Sequence, residues 1–325
     1  MPIHQTLFYS FNAVAPLCLI MALGYVLKQR GIMDAPFLKG GNALVFKILL
    51  PVMLFENTRK FENTGGFDWQ PVAFSLAAIL VLYFIYWAVV ARTVKDSRDK
   101  GVMVQGLVRG NFVVYGTPLC VNLFGDNAEV RALTGIVAAL VVSLYNLISV
   151  VVLEYYGTGG AAGRERVLQT VKKIATNPLI LGAFMGVACS FLKTRAGVDL
   201  PLSANRALAG VSAAATPIAL LFLGGEFQFG FLSRYWKQAA IVNGVREVLA
   251  AALVVATAVA LGFRGLELGV VVCVFGAPVA VSSYPMAKMS GGNADLAAAL
   301  VVTTTLFSCL SIFGIIAVLK ALGLL

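Results

Sequence analysis

The chain contains ten segments of predominantly apolar residues, each close to the length of about 20 residues that a helix needs to cross a bilayer. A soluble domain needs far more polar surface than a chain in which 59% of residues are hydrophobic and 12% are charged. The sequence therefore predicts an all-α polytopic membrane protein with ten transmembrane helices. The predicted spans are residues 8–28, 38–56, 71–92, 101–124, 129–154, 174–193, 202–225, 237–261, 267–289 and 294–321.

Basic residues are distributed unequally between the loops on the two sides of the membrane. The loops after spans 1, 3, 5, 7 and 9 hold fourteen lysines and arginines, and the opposite side holds eight. Because cytoplasmic loops carry the excess of basic residues, we expect both termini outside, in the plasma (inner) membrane of the cell. This pattern also accounts for the net charge of +10, so we expect the lipid bilayer and not nucleic acid as the partner.

The reactive residue types give little sign of a metal, a cofactor or an enzyme. The five cysteines all lie in apolar segments without C-x-x-C spacing, so neither disulfides nor a metal site are expected. The one histidine, His4, lies in the N-terminal segment. The chain has no H-E-x-x-H and no G-x-S-x-G motif, so no enzymatic activity is predicted.

Two similar stretches lie 166 residues apart, FGDNAEVRAL before span 5 and SGGNADLAAA before span 10. The same offset relates Pro51 in span 2 to Pro217 in span 7. These matches predict two five-helix repeats, residues 1–154 and 174–325, joined by a cytoplasmic linker at 155–173. Five spans is an odd number, so the second repeat must be inverted in the membrane, as in many secondary transporters. The identical pairs are Gly125 and Gly291, Asn127 and Asn293, and Ala128 and Ala294.

Spans 4 and 9, which correspond under this repeat, both contain helix-breaking residues. Span 4 has Gly116 and Pro118, and span 9 has Gly276, Pro278 and Pro285. Proline removes a backbone donor and glycine adds freedom, so we expect both helices to unwind near mid-membrane. One such kink is as readily structural as functional, but two at matched positions favour a site where the broken helices cross. The N-termini of half-helices suit an anion such as a carboxylate.

Polar residues near these breaks are the candidates for substrate contact. The Asn111 amide can donate to a carboxylate. The hydroxyls of Thr117, Ser282 and Ser283 can bind substrate or equally satisfy freed carbonyls. Arg109 either serves function within the membrane or extends to the interface. The other candidates are Tyr145 and Asn146 in the middle of span 5.

Arg246 and Glu247 are adjacent near the middle of span 8. Neighbouring helix residues point about 100° apart, so the two side chains need separate partners or a shared aqueous cavity. A carboxyl in a low-dielectric site is held neutral more easily, which makes Glu247 a candidate for proton coupling. A structural ion network is the equally weighted alternative.

Six stretches, taken together, resemble the auxin efflux carrier family, which includes plant auxin carriers and bacterial carriers of organic acids. They run through nearly the whole chain in family order. The stretches are LLPVMLFEN, GNFVVYGTPL, SLYNLISVVVLEYYG, NPLILGAFMG, ATPIALLFLGGEF and GAPVAVSSYPMAKMSGGNADLAAALVVTTTL.

This resemblance implies a ten-helix inverted-repeat fold like that of sodium/proton antiporters. It also implies a homodimer, a scaffold domain of spans 1, 2, 6 and 7, and a transport domain of spans 3–5 and 8–10 that moves by an elevator mechanism. Asn111 matches an asparagine that contacts the substrate carboxylate, Pro118 and Pro278 match prolines at the crossing, and Tyr145 matches a span 5 tyrosine. Relatives among the plant carriers favour uncoupled transport driven by substrate charge and membrane potential.

Two pocket positions depart from the plant pattern. Leu54 replaces a serine and Leu140 replaces a glutamine, and the long cytoplasmic loop of many plant members is missing. We therefore expect a secondary transporter of carboxylates such as malate or malonate in preference to auxin-like acids. The alternative is a membrane channel or a substrate sensor, although a sensor usually carries a soluble output domain and none is evident.

Overall fold

A computed structural model describes residues 3–59, 69–157, 168, 171–172, 175–197 and 199–325. The regular structure of this part of the chain is helical, apart from one isolated β-bridge. Most of the predicted 155–173 linker lies outside the described residues. The helices are α1 (Ile3–Gln29), α2 (Ala35–Arg59), α3 (Gln70–Thr93), α4 (Ser97–Val108), α5 (Phe112–Phe124), α6 (Ala128–Gly157), α7 (Pro178–Ala196), α8 (Leu202–Glu226), α9 (Phe229–Arg234), α10 (Trp236–Ala260), α11 (Gly265–Phe275), α12 (Ser283–Met289) and α13 (Ala294–Ala321).

Seven of the described helices are long and apolar enough to cross a bilayer, namely α2, α3, α10, α13 and most or all of α6, α7 and α8. Three shorter apolar helical stretches, Ala15–Gln29, Phe112–Phe124 and Gly265–Phe275, lie within predicted spans 1, 4 and 9. The prediction of an all-helical, polytopic membrane protein is thus confirmed. The count of ten spans stays a prediction.

Side-chain caps fix where several helices begin. The Asp96 carboxylate accepts from the Arg98 N–H (2.8 Å) at α4, and the Asn177 amide oxygen accepts from the Leu179 N–H (2.9 Å) at α7. Each cap satisfies one of the four N–H groups that a helix start leaves free. Gly197 follows α7 with φ of 66°, a left-handed conformation that ends the helix without a Cβ clash.

Two helix pairs approach closely, backbone to backbone, at glycine residues. On the α1–α8 contact, a Cβ at Gly24 would collide with the Leu221 carbonyl oxygen, and one at Gly224 would collide with that of Met21. On the α2–α7 contact, Gly182 and Gly186 lie equally close to the backbone of α2. Small residues let membrane helices pack this tightly. The four helices therefore form one closely packed group, since α2 also packs against α8.

The loops before α6 and α13, which the sequence repeat pairs, have the same local structure. Gly125 and Gly291 both have positive φ, 87° and 77°. The Asn127 side chain accepts from the Val130 N–H (2.9 Å), and the Asn293 side chain accepts from the Leu296 N–H (3.1 Å). The identical residues thus form the same local structure in both loops: a turn at a glycine with positive φ, followed by an asparagine that caps the next helix.

Candidate functional site

The chain is interrupted between α4 and α5, at Arg109, Gly110 and Asn111. The prediction that span 4 unwinds at Gly116 and Pro118 is therefore wrong. Residues Phe112–Gly116 form a π-helical turn, in which the Thr117 N–H bonds to the Phe112 carbonyl, and an α-helix continues from Thr117. The wider turn places Pro118 at the start of that helix, where its missing N–H removes no bond.

The second interruption covers residues 276–282, between α11 and α12, and it includes Gly276 and Pro278 as predicted. Pro285 lies in the first turn of α12, where a backbone N–H has no helical partner in any case. Span 9 is thus broken once, on the N-terminal side of Pro285.

The two interruptions cross at Gly110 and Val279, which form the isolated antiparallel bridge. The Asn111 N–H donates to the Pro278 carbonyl oxygen (2.8 Å). The Val279 N–H donates to the hydroxyl oxygen of Thr304 on α13 (3.1 Å). A Cβ at Gly110 would lie 2.9 Å from the Arg246 guanidinium and 3.0 Å from the Val274 carbonyl oxygen, so a larger residue fits only if one of these groups moves.

Arg246 binds the backbone of both broken helices. Its guanidinium donates to the carbonyl oxygens of Leu107 (3.2 Å) and Ala277 (2.8 Å), with a longer contact to Gly106 (3.5 Å). Leu107 and Gly106 lie in the last turn of α4, whose carbonyls have no helical partner and carry the negative end of the helix dipole. The Arg246 guanidinium therefore supplies hydrogen bonds to these carbonyl oxygens and stabilises the negative end of the helix dipole inside the protein.

Arg109 is almost fully buried and contacts the start of α12. Its guanidinium donates to the hydroxyls of Ser282 (2.6 Å) and Ser283 (3.2 Å), to the Asn146 amide oxygen (2.5 Å) and to the Met286 sulfur (2.9 Å). The Asn146 side chain is itself held by the Val142 carbonyl (2.8 Å). Arg109 is thus a fixed member of the crossing, which excludes the alternative that it extends to the interface.

The crossing carries positive charge. All the hydrogen-bond acceptors of Arg109 and Arg246 in the described part of the chain are neutral. Helices α5 and α12 begin directly after the interruptions, and their N-termini add partial positive charge. Buried cations are normally compensated by a partner of opposite charge. An anion bound here would supply that charge.

A cavity of about 30 Å³ lies where the crossing faces the closely packed group of helices. Arg109, Asn111 and Ser282 supply polar groups from the crossing, and Met53 of α2 and Thr216 of α8 line the opposite wall. The Asn111 side-chain nitrogen is buried and donates to no described residue. The space is close to the volume of one water, so it is too small to hold a dicarboxylate in this conformation.

Several of the other predicted residues do not line the cavity. Tyr145 is buried next to Gly110 but does not line the cavity. Gly116 packs against the backbone of α11, and Gly116, Thr117 and Pro118 are not among the residues that line the cavity, so their assignment to the substrate site stays a prediction. Thr304, Met53 and Thr216 belong to the crossing or the cavity and were missed.

Glu247 does not line the cavity. It lies on a π-helical segment, Asn243–Ala250, beside Arg246. Arg246 points to the crossing, whereas Glu247 faces a separate groove between α10 and α13. The expectation that these two residues need separate partners agrees with this arrangement.

Two comparisons with known proteins bear on the chain as a whole. The model of the "membrane transport protein" family matches residues 9–316. An "uncharacterized transporter" of the archaeon Methanothermobacter thermautotrophicus (strain Delta H) is 24% identical over 308 residues, which cover 93% of this chain and 96% of that relative.

Proposed function

Because the chain belongs to the membrane transport protein family, the family of the auxin efflux carriers, we propose that it is a secondary carrier of small organic anions. The observation that carries this proposal is the crossing of two interrupted helices beside two buried guanidinium groups with neutral partners. The free Asn111 amide completes a set of donors that suits a carboxylate.

Small carboxylates such as malate or malonate are the proposed substrates. A dicarboxylate can receive bonds from Asn111 and from the positive groups of the crossing at the same time. Auxin-like acids are less well supported, because Leu54 is a fully buried apolar residue and Leu140 is partly buried where the plant carriers have polar side chains.

Alternating access by an elevator movement is the proposed mechanism. The glycine-packed group α1, α2, α7 and α8 corresponds to the scaffold of spans 1, 2, 6 and 7. The cavity lies between this group and the crossing, so a movement of one against the other opens it. The proposed ten-span fold of two inverted repeats is supported by the matched Gly125/Asn127 and Gly291/Asn293 loops.

The family resemblance also supports a homodimer, and the distribution of basic residues supports a plasma-membrane protein with both termini outside. Cross-linking of the purified protein in lipid tests the dimer. We further propose that transport is uncoupled and driven by substrate charge and membrane potential, because Glu247 lies outside the cavity.

The experiment is a thermal-shift screen of mono- and dicarboxylates, followed by flux measurements in proteoliposomes. A carrier binds at least one carboxylate and shows saturable, exchange-stimulated flux. Flux that rises linearly with concentration supports the channel, and binding without flux supports the sensor. Absence of any carboxylate binding contradicts the proposed substrate class.

A further inference from the structure

Glu247 carries a buried carboxyl group that has few hydrogen-bond donors in the described structure. Its side chain is 0% exposed, and one of its oxygens receives a single bond, from the Ser311 hydroxyl (3.3 Å). The other oxygen is buried and accepts from no described residue. A buried carboxylate normally has two or three donors, because each lone pair left without one costs free energy.

The neighbouring Arg246 does not donate a hydrogen bond to the Glu247 carboxyl group. Arg246 directs its terminal nitrogens instead to the carbonyls of Leu107 and Ala277. Removing those bonds to form an ion pair would leave the end of α4 unsatisfied. Glu247 therefore lacks a direct counter-ion in the described chain.

Glu247 lies at one end of an apolar groove of about 560 Å³ between α10 and α13. Ala252, Val255 and Ala256 form one wall, and Gly314 and Ile315 form the other. The groove extends from Glu247 to Val259, twelve residues along α10, or about 18 Å. Its volume is within the range of small-molecule sites, about 300–1,000 Å³.

The groove opens towards the bilayer. Residues beside it on the same two helices, Leu253, Leu310 and Val318, are more than half exposed on apolar surface. A ligand therefore reaches Glu247 from the lipid phase, and it must be apolar over most of its surface. A positively charged donor supplies the hydrogen bond that the second oxygen lacks and forms an ion pair with the carboxylate.

We propose that this groove is a binding site for protonated lipophilic amines, which enter from the bilayer and place the ammonium group on Glu247. The site is separate from the cavity at the crossing, so it does not depend on the proposed transport function. The apolar walls select for a hydrophobic body, and the single carboxyl group selects for the cation.

The first test is labelling of Glu247 by dicyclohexylcarbodiimide, an apolar reagent that reaches carboxyl groups from the lipid. The carboxylic acid adds across a C=N bond and the acyl group then migrates to nitrogen, so the whole reagent is retained. Mass spectrometry of proteoliposomes is expected to find the adduct at Glu247 and not at Glu154, which is buried beside Ser290. No adduct at Glu247 would overturn the proposal, because the groove would not admit an apolar molecule.

The second test uses three probes with one hydrophobic cage and different head groups. Adamantylamine is expected to slow labelling of Glu247 at least tenfold, and adamantanol and adamantane carboxylate are expected to have little effect. Equal protection by the alcohol would contradict the role of the carboxyl group, and no protection by the amine would overturn the site itself.

A pair of variants checks that protection occurs in the groove. Ala256→Trp fills the groove wall, whereas Leu253→Trp places the same side chain on exposed surface of the same helix. Labelling of Glu247 is expected to fall at least tenfold in the first variant and to stay at the parent rate in the second. Equal labelling in both would show that the reagent reaches Glu247 by another path.

Discussion

Lys288 of α12 forms an ion pair with Glu226, the last residue of α8. Glu226 also accepts from the Tyr284 hydroxyl and from the side chain of Asn42 on α2 (3.0 Å). The pair therefore joins the glycine-packed helices to the second broken helix, on the side predicted to be cytoplasmic. If the proposed elevator movement separates these helices, the ion pair breaks once in each transport cycle.

We predict that Lys288→Gln shifts the protein towards the state open to the cytoplasm. The two side chains are partly exposed, so the pair is worth about 1 kcal/mol, or roughly a fivefold change in the ratio of states. The measurement is the rate at which a cysteine at Val281, in the cavity, reacts with an impermeant thiol reagent in inside-out vesicles. Lys237→Gln removes an exposed charge on the same side and serves as the control. Unchanged reactivity in Lys288→Gln would exclude the pair as a cytoplasmic lock.

Asn111→Ala should weaken carboxylate binding by about tenfold to a hundredfold, because a hydrogen bond to a charged group contributes roughly 1.5–3 kcal/mol. Titration calorimetry or thermal shift with the best substrate measures this change. Thr117→Ala is the matched control, since Thr117 is helical and does not line the cavity. Parent-like binding by Asn111→Ala would remove this residue from the site. A loss of carboxylate binding in Thr117→Ala would instead support a substrate site around Thr117, as predicted from the sequence.

Gly110→Ala should abolish transport. The added Cβ would lie 2.9 Å from the Arg246 guanidinium and 3.0 Å from the Val274 carbonyl oxygen, so we expect these groups to shift and to weaken the Asn111–Pro278 hydrogen bond beside them. Overpacking of this kind costs about 1–3 kcal/mol, which thermal unfolding in detergent detects. Gly135→Ala on α6 meets no atom within 4 Å and should behave like the parent. A Gly110→Ala protein with full flux would show that the crossing tolerates a wider spacing.

Seven long apolar helices and the second break agree with the sequence-based prediction, whereas the position of the first break does not. Lipid imposes long apolar segments, so these are visible in composition. The position of the first break depends on contacts between residues far apart in the sequence. These are the hydrogen bond from Arg246 to the Leu107 carbonyl at the end of α4 and the one from the Asn111 N–H to the Pro278 carbonyl. Pro118 is accommodated by a π-helical turn, which has no clear local signature.

Thr304 shows a second limit of the sequence. A threonine in an apolar helix usually bonds to the carbonyl four residues earlier, and Thr304 does so with Leu300 (2.7 Å). Its further bond from the Val279 N–H arises only because α13 passes the second interruption. Nothing in its own segment distinguishes it from Thr303 or Thr305.

Cysteines introduced at Pro2 and Gly160 test the predicted orientation. An impermeant thiol reagent added to intact cells should label position 2 and not position 160, since basic residues are in excess on the side of the linker. Permeabilised cells provide the control for reactivity at position 160. Labelling at 160 alone would reverse the topology.

The last prediction concerns the driving force. Glu247 is the acidic residue placed most centrally in a predicted span, yet it faces the apolar groove and not the cavity, and no described hydrogen bond links it to Asn111 or Arg109. A coupling carboxyl must exchange its proton with each side as the substrate site does, and a group facing lipid has no aqueous path for that exchange. We therefore expect proteoliposomes to take up an anionic substrate in response to an imposed membrane potential, positive inside, and not in response to a pH gradient alone. Glu247→Gln should keep this behaviour, because it removes a charge that the transport site does not use. Accumulation driven by a pH gradient in the parent, lost in Glu247→Gln while exchange persists, would instead make Glu247 the proton-coupling residue.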